Sequence, residues 1–455
     1  MTASKTAIVV LAAGLGTRMK SRLPKVLHPI AGLPIIRHVL ATLETLAPDR
    51  LVFVIGDEME AVKRAVAPYP TVVQQERLGT GHAVMAARSV LGGFEGDVLI
   101  VYGDTPLLSS ETLARVLQAR RAASRPAVVV LGFRPADPGA YGRLVVDAGG
   151  MLQAIVEAKD ATEQQLRIGL CNSGVMAVDA ARLFPLLDRI DDRNAKREYY
   201  LTDIIALARR DGLPCGVVEG RESELLGINS RIELARAEQV VQTELRARAM
   251  AAGATLIDPA TVFFSHDTRL GQDVVVGPCV VFAAGVSVGD DVHIRGFCHL
   301  EGVTIEAGAQ IGPFARLRPG ASIGPDAHIG NFVEIKNASV EAGAKVNHLT
   351  YIGDARVGRG ANVGAGTITC NYDGYFKDHT DIGAGAFIGS NTSLVAPVKI
   401  GDGAIVGAGS VVTRDVATDA LMLSRGPRTE KDDWARHFRE RRGAQKAALK
   451  SSNKS

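Results

Sequence analysis

The sequence predicts an α/β unit with a mostly parallel sheet, then a linker helix, then a parallel β-helix of hexapeptide repeats. Three observations carry this. In the first half, continuous apolar runs alternate with amphipathic helical stretches; in the second, an apolar residue recurs every six positions; between them lies a long stretch with a helix cap and a glycine stop. A chain of 455 residues also exceeds one ordinary core, so more than one domain is expected.

The opening strand is Ala7-Ile8-Val9-Val10-Leu11, and further strands read at Leu51–Ile55, Thr71–Val73 and Asp97–Val101. Helical stretches lie near Ile35 to Leu43, Glu58 to Val66 and Ala83 to Val90. Apolar strands between helices imply a Rossmann-like sheet covered on both faces, with ligands at the carboxyl ends of its strands. The first strand runs into Ala12-Ala13-Gly14-Leu15-Gly16-Thr17-Arg18-Met19, with Pro24-Lys25 just beyond. Small residues let backbone N–H groups approach a phosphate or a base, and Arg18 and Lys25 add positive charge where a triphosphate would lie. A dinucleotide fingerprint needs glycine at Met19 and a P-loop needs Gly-Lys-Ser/Thr, so neither fits. The glycines alone equally suit a ligand-free turn; Arg18, Pro24 and Lys25 favour the cradle. Asp104 follows the most apolar strand in Tyr102-Gly103-Asp104. A carboxylate there is either a turn cap or a hard oxygen ligand for Mg²⁺, the ion that neutralises a bound triphosphate.

Ser230 and Glu233 form a capping box, Leu234, Val241, Leu245 and Ala249 keep one apolar face, and Gly253 stops the helix near Ala252. The repeat follows as Val276, Phe282, Val288, Ile294 and Leu300, then Ile305, Ile311, Leu317, Ile323, Ile329 and Ile335, every step six except one of five. It returns as Ile382, Ile388, Leu394, Ile400, Val406 and Val412. Each unit makes a short strand and a corner, and three units close a coil, giving roughly nine coils. Between Ile368 and Ile382 the stretch Cys370 to Lys377 breaks the count and must loop out. The boundaries read 1–228, 229–252 and 253–425, with 426–455 as a basic, flexible tail.

A net charge of +3 gives no overall pull toward nucleic acid or an anionic membrane, so neither is expected as a partner. The N-terminal stretch makes neither a secretory signal nor a spanning helix, and the expected location is the cytoplasm. Five cysteines, at 171, 215, 279, 298 and 370, show no paired spacing and read as reduced packing residues.

The stretch from Leu11 to Lys25 resembles the signature of sugar-nucleotide pyrophosphorylases. Matches continue in Leu78-Gly79-Thr80-Gly81-His82-Ala83, Tyr141-Gly142-Arg143, Glu157 with Lys159-Asp160, Asn172-Ser173-Gly174 and Gly227-Ile228-Asn229. The second half carries Arg316-Leu317-Arg318-Pro319-Gly320, Asn331 to Lys336, His348 to Asp354, and Asn362 to Gly374. End to end, the chain is similar to the family of bacterial bifunctional N-acetylglucosamine-1-phosphate uridylyltransferase/glucosamine-1-phosphate N-acetyltransferases. This implies a left-handed β-helix, a homotrimer, UTP and acetyl-CoA as co-substrates, Mg²⁺, and a role in making a cell-envelope precursor. It implies that Leu11, Ala12, Ala13, Gly14, Lys25, Tyr102, Gly103, Asp104 and Asn229 line the UDP-N-acetylglucosamine site. Gln75, Gly79 and Thr80 would hold uracil, Gly142, Glu157 and Asn172 the sugar, and Asp104 with Asn229 the metal. Arg18 and Lys25 would stabilise charge as the sugar phosphate displaces pyrophosphate.

In the repeats, the resemblance assigns Arg318, Lys336, Tyr351 and Asn362 to the sugar phosphate, and Ala365, Asn371, Tyr372, Ser390, Ala408 and Arg425 to acetyl-CoA. Lys377 would reach a neighbouring subunit. An attacking amine must be neutral, so it needs a base that titrates near neutrality. His348 is the candidate, although the histidine alone favours a polar surface position on the prism; Arg318 and Lys336 tip the reading toward the base. Backbone N–H groups of Gly364-Ala365-Gly366 are expected to stabilise the oxyanion. The alternatives are a single-function sugar-1-phosphate nucleotidyltransferase with a structural β-helix, a nonenzymatic scaffold, and a zinc hydratase. For the last, His328, His348 and His379 lack suitable spacing.

Overall fold

Ile8 and Val10 face one side of the first unit's sheet and Ala7, Val9 and Leu11 the other, and both sides are buried. Leu99 and Val101 divide from Val98 and Ile100 in the same way. Strict alternation of the chain sends successive side chains to opposite faces, so an uninterrupted apolar run fills two cores at once. Each buried valine, leucine or isoleucine of such a run stabilises the fold by about 1.5–3 kcal/mol. The computed structural model describes residues 4–424 and 426–452. The first unit runs to Ala252 and takes in Pro259–Thr268 and Phe282–Ala284; the second comprises Gly253–Asp258, Arg269–Val281 and the chain from Gly285 onward.

Across the sheet the strands run Cys215–Glu219, Val128–Phe133, Cys171–Asp179, Asp97–Tyr102, Thr6–Leu11, Arg50–Gly56 and Thr71–Gln74. All neighbours are parallel except Cys171–Asp179, which runs against both of its own, so the sheet is mostly parallel as expected. The helix read from Ala83 starts earlier, at Thr80, and breaks at Ala87 before a further turn, Arg88–Leu91. The long helix spans Arg231–Ala251, with the Ser230 hydroxyl accepting from the Glu233 N–H and Gly253 in the left-handed region beyond it. Its most buried side chains include one that the apolar pattern passes over. Gln242 is 2% exposed, and its amide pairs both ways with the Phe264 backbone, at 2.9 and 2.6 Å.

Along the repeats every residue of the six-step count is buried, from Val276 to Val412. Val275 pairs with His293 and Arg316 with Glu334, three six-residue steps on. The structure also fills the gap in the count. Val340, Val346, Ile352, Val357 and Val363 point inward, the steps from Ile335 to Val340 and from Ile352 to Val357 being five residues, and Thr369 takes the next inward place while Ile368 stays outside. A threonine is tolerated there because its hydroxyl accepts from the Gly353 N–H at 2.8 Å and lies 3.2 Å from the Gly353 carbonyl. The expected insertion does loop out, closing with a bridge between Tyr372 and Lys377. In the tail, Trp434–Ser452 is helical, in keeping with its alanine, arginine and lysine content. Among the described residues no helix is long and apolar enough to cross a membrane.

Candidate active sites

Three parallel strands of this sheet end at Leu11, Gln74 and Tyr102, and their carboxyl ends open a cleft of about 270 Å³. Its floor is the loop after the first strand. Gly16 has φ 63°, and a Cβ there would lie 2.6 Å from the Cβ of Lys25, so glycine lets the loop turn back on Lys25. The Lys25 ammonium makes a salt bridge to Asp104 and donates to Asn229 Oδ1 at 3.0 Å. Asn229 is itself fixed, because its N–H donates to Glu233 Oε2 at 2.7 Å. The Glu of the capping box thus reaches one residue further back than the motif requires. Two hard oxygens, from Asp104 and Asn229, therefore converge on one cation position, a donor set that suits Mg²⁺ completing its shell with water and phosphate. Arg18 is exposed on the turn Thr17–Met19.

The sugar-side residues also meet. Asn172 N–H donates to the Gly142 carbonyl at 2.8 Å, and a Cβ on Gly142 would stand 3.5 Å from Glu157 Oε1. Burial pushes the Glu157 carboxyl up. Tyr102 packs where a Cβ on Gly174 would stand 2.4 Å from its ring, and burial pushes its phenol up as well.

One assignment is corrected by one residue. Gln74, not Gln75, lines the cleft: Gln74 is 5% exposed and its amide donates to the Gly79 carbonyl at 3.0 Å, whereas Gln75 is exposed on an adjoining groove. In an extended strand adjacent side chains point opposite ways, so counting by period two along Thr71–Gln74 finds the inward one. The motif reading also missed Arg77 and Glu198. Arg77 Nε donates to the Ala13 carbonyl at 3.0 Å, and the segment around Glu198 closes over Gly79, with Tyr199 N–H donating to Leu78 and Gly81 N–H to Tyr199. Neither carries a local signal, since each acts through backbone distant in sequence.

On the β-helix, Arg318 pairs with Glu334 at 2.8 Å, and Lys336 lies beside Lys377, whose nearby positive charge pulls its ammonium down. Lys377 lies beside Lys336 of its own chain, on the loop that the bridge to Tyr372 closes. Asp354 sits among them. Against the upward push of burial, hydrogen bonds from Asn337 and Asn371 and the charges of Lys377 and Lys336 hold its carboxyl below the usual range. The Tyr351 hydroxyl lies over Gly353, where a Cβ would be 2.2 Å away, and Asn362 stands in register with Lys345.

His348 is exposed, with Nδ1 2.6 Å from Asn331 Oδ1. Ala365, Ser390 and Ala408 rise along successive corners: Asn391 N–H donates to Ala365, Gly409 N–H to Ser390, and a Cβ on Gly389 would meet the Ala408 nitrogen at 2.3 Å. Asn371 is 7% exposed and Tyr372 is open on the loop. Arg425 lies outside the described residues. Of the three expected oxyanion donors the coil ladder uses two, Gly364 N–H donating to Ile388 and Gly366 N–H to His348.

None of the five cysteines forms a disulfide, and burial pushes the thiols of Cys215 and Cys298 up to about 11.

A family model described as MobA-like NTP transferase domain matches residues 8–168, and one described as bacterial transferase hexapeptide (six repeats) matches 302–337 and 379–414. The parallel coils and the hexapeptide match together identify the second unit as a left-handed β-helix. Among curated proteins, the bifunctional protein GlmU of Paramagnetospirillum magneticum is 64% identical over 447 residues, covering 98% of this chain and 99% of that one. That of Rhodospirillum rubrum is 65% identical over 436 residues, covering 96% and 98%; that of Sphingopyxis alaskensis is 54% identical over 443, covering 97% and 98%.

Proposed function

We propose a reaction for each unit of this chain, which belongs to the family of the bifunctional protein GlmU. It is a transferase of UDP-N-acetylglucosamine synthesis. The β-helix moves acetyl from acetyl-CoA to glucosamine 1-phosphate; the α/β unit then moves uridylyl from UTP to N-acetylglucosamine 1-phosphate and releases pyrophosphate.

In the α/β unit a phosphate oxygen of the sugar attacks the α-phosphorus as the bond to pyrophosphate breaks. A phosphate monoester is already anionic, so no general base is needed and positioning carries the rate. Gln74, Gly79 and Thr80 hold the base, Gly142, Glu157 and Asn172 the sugar, and Lys25 and Arg18 meet the charge that develops. Asp104 and Asn229 hold Mg²⁺, which when bound neutralises phosphate oxygens. On the β-helix, Arg318, Lys336 and Lys377 take the sugar phosphate with Tyr351 and Asn362. His348 accepts the proton as the amine attacks the thioester carbon and coenzyme A thiolate leaves. Acetyl-CoA lies along Ala365, Ser390 and Ala408, with Asn371, Tyr372 and Arg425.

The protein works as a homotrimer in the cytoplasm. Phe297, Phe314 and Phe332 support the first point: they stack with ring centroids 5.0 Å apart, yet are 54%, 45% and 54% exposed, an apolar ladder that another copy would cover. Cysteines that form no disulfide support the second.

The convergence of Asp104 and Asn229 on Lys25 carries this reading. Its test supplies UTP, acetyl-CoA, Mg²⁺ and glucosamine 1-phosphate and follows free thiol and pyrophosphate together. Thiol release should come first, and pyrophosphate should depend on it. Uridylyl transfer from sugar phosphate with no thiol release under any condition would instead select a single-function nucleotidyltransferase with a structural β-helix.

A further inference from the structure

We propose that Asn331 is a positioning residue for His348, its side-chain oxygen accepting the imidazole Nδ1–H so that Nε2 is left bare to take a proton. The inference rests on the reading of His348 as the base. Asn331 stands directly across from His348 in the register of His328–Asn331 with Lys345–His348, and the two side chains meet at 2.6 Å. The approach depends on Gly330, where a Cβ would stand 1.9 Å from the Asn347 carbonyl oxygen. The His348 backbone is held on its own account, its carbonyl accepting from the Thr350 hydroxyl at 2.7 Å and the Gly366 N–H at 3.3 Å. What remains free is the ring. An exposed neutral imidazole divides between two tautomers and turns about its side-chain bonds; an acceptor at Nδ1 selects the tautomer with a basic Nε2 and fixes the ring. The titratable groups of the paired strands, His328 and Lys345, lie at the other end of that register, so the neutral amide of Asn331 is what faces the ring.

The full-length chain tests this with three substitutions, reading thiol release from acetyl-CoA with glucosamine 1-phosphate across pH. Unchanged melting curves and unchanged uridylyl transfer show that the variants fold. Asn331→Ala should lower the acetyl-transfer kcat about tenfold while both KM values stay within about twofold. Asn331→Asp restores an acceptor and adds a charge that favours the imidazolium, so it should recover rate and move the acid limb of the profile up by about one pH unit. If both variants match the wild type in rate and profile while His348→Ala is inactive, the positioning role is overturned and the base assignment stands. If His348→Ala retains acetyl transfer, the base assignment falls and this inference with it.

Discussion

The two candidate sites are assembled by opposite routes. In the α/β unit Lys25 meets Asp104 and Asn229 across 79 and 204 positions of sequence. On the β-helix the contacts that shape the site link successive coils: Asn331 with His348 and Asp354 with Asn371 across 17 positions, and Arg318 with Glu334 across 16. A sheet brings strand ends together by crossover connections, so its site gathers residues that share no spacing. A solenoid stacks the same surface position of each repeat, so its site is a column with a period. The first kind is found by motif, the second by counting.

The comparison breaks if the two sites do not fail separately. Asp104→Ala should lower uridylyl transfer at least about 100-fold and leave thiol release within about twofold, read by parallel pyrophosphate and thiol assays on one preparation. Loss of both activities would mean that the units act as one machine.

A smaller effect sharpens the contrast within the α/β unit. Gln74→Ala should raise KM for UTP about tenfold, the loss of one good buried hydrogen-bonding partner, whereas Gln75→Ala should leave it within about twofold. Equal effects would place both side chains at the base. Smaller still is a pH effect on stability. Burial, with the nearby charges of Asp191, Glu157 and Asp160, pushes the Asp203 carboxyl up to about 6. Its folded value exceeds its unfolded value of about 3.9, so the native state holds the extra proton and stability declines as pH rises between them. Asp203→Asn should therefore stabilise the unit at pH 8, by about 1 kcal/mol after discounting for partial exposure, and do little at pH 4. Chemical denaturation of both proteins at the two pH values checks it.

Much of this molecule is legible in sequence because its two periods are strong. Alternating apolar runs announce the sheet, and six-residue steps announce the coils, every counted residue of which is buried. The misreadings sit where polarity and position part company. Thr369 points inward beside an outward Ile368, because one hydroxyl can be satisfied by the coil beneath. Gln242 is buried in a helix for the sake of the Phe264 backbone. The glycine N–H groups at 364 and 366 look available in a motif and are spent on the ladder.

By itself, the sequence determined the order of the two folds, the cradle with Lys25, the column containing His348, and the loop that leaves the prism, since each follows from local composition or a short period. Only the tertiary structure decided that Gln74 faces the cleft, that Lys377 lies beside Lys336, and that Asn331 meets the His348 ring. Those depend on the direction of a side chain relative to partners from elsewhere in the chain, and direction is set by packing and register, which residue types alone do not encode.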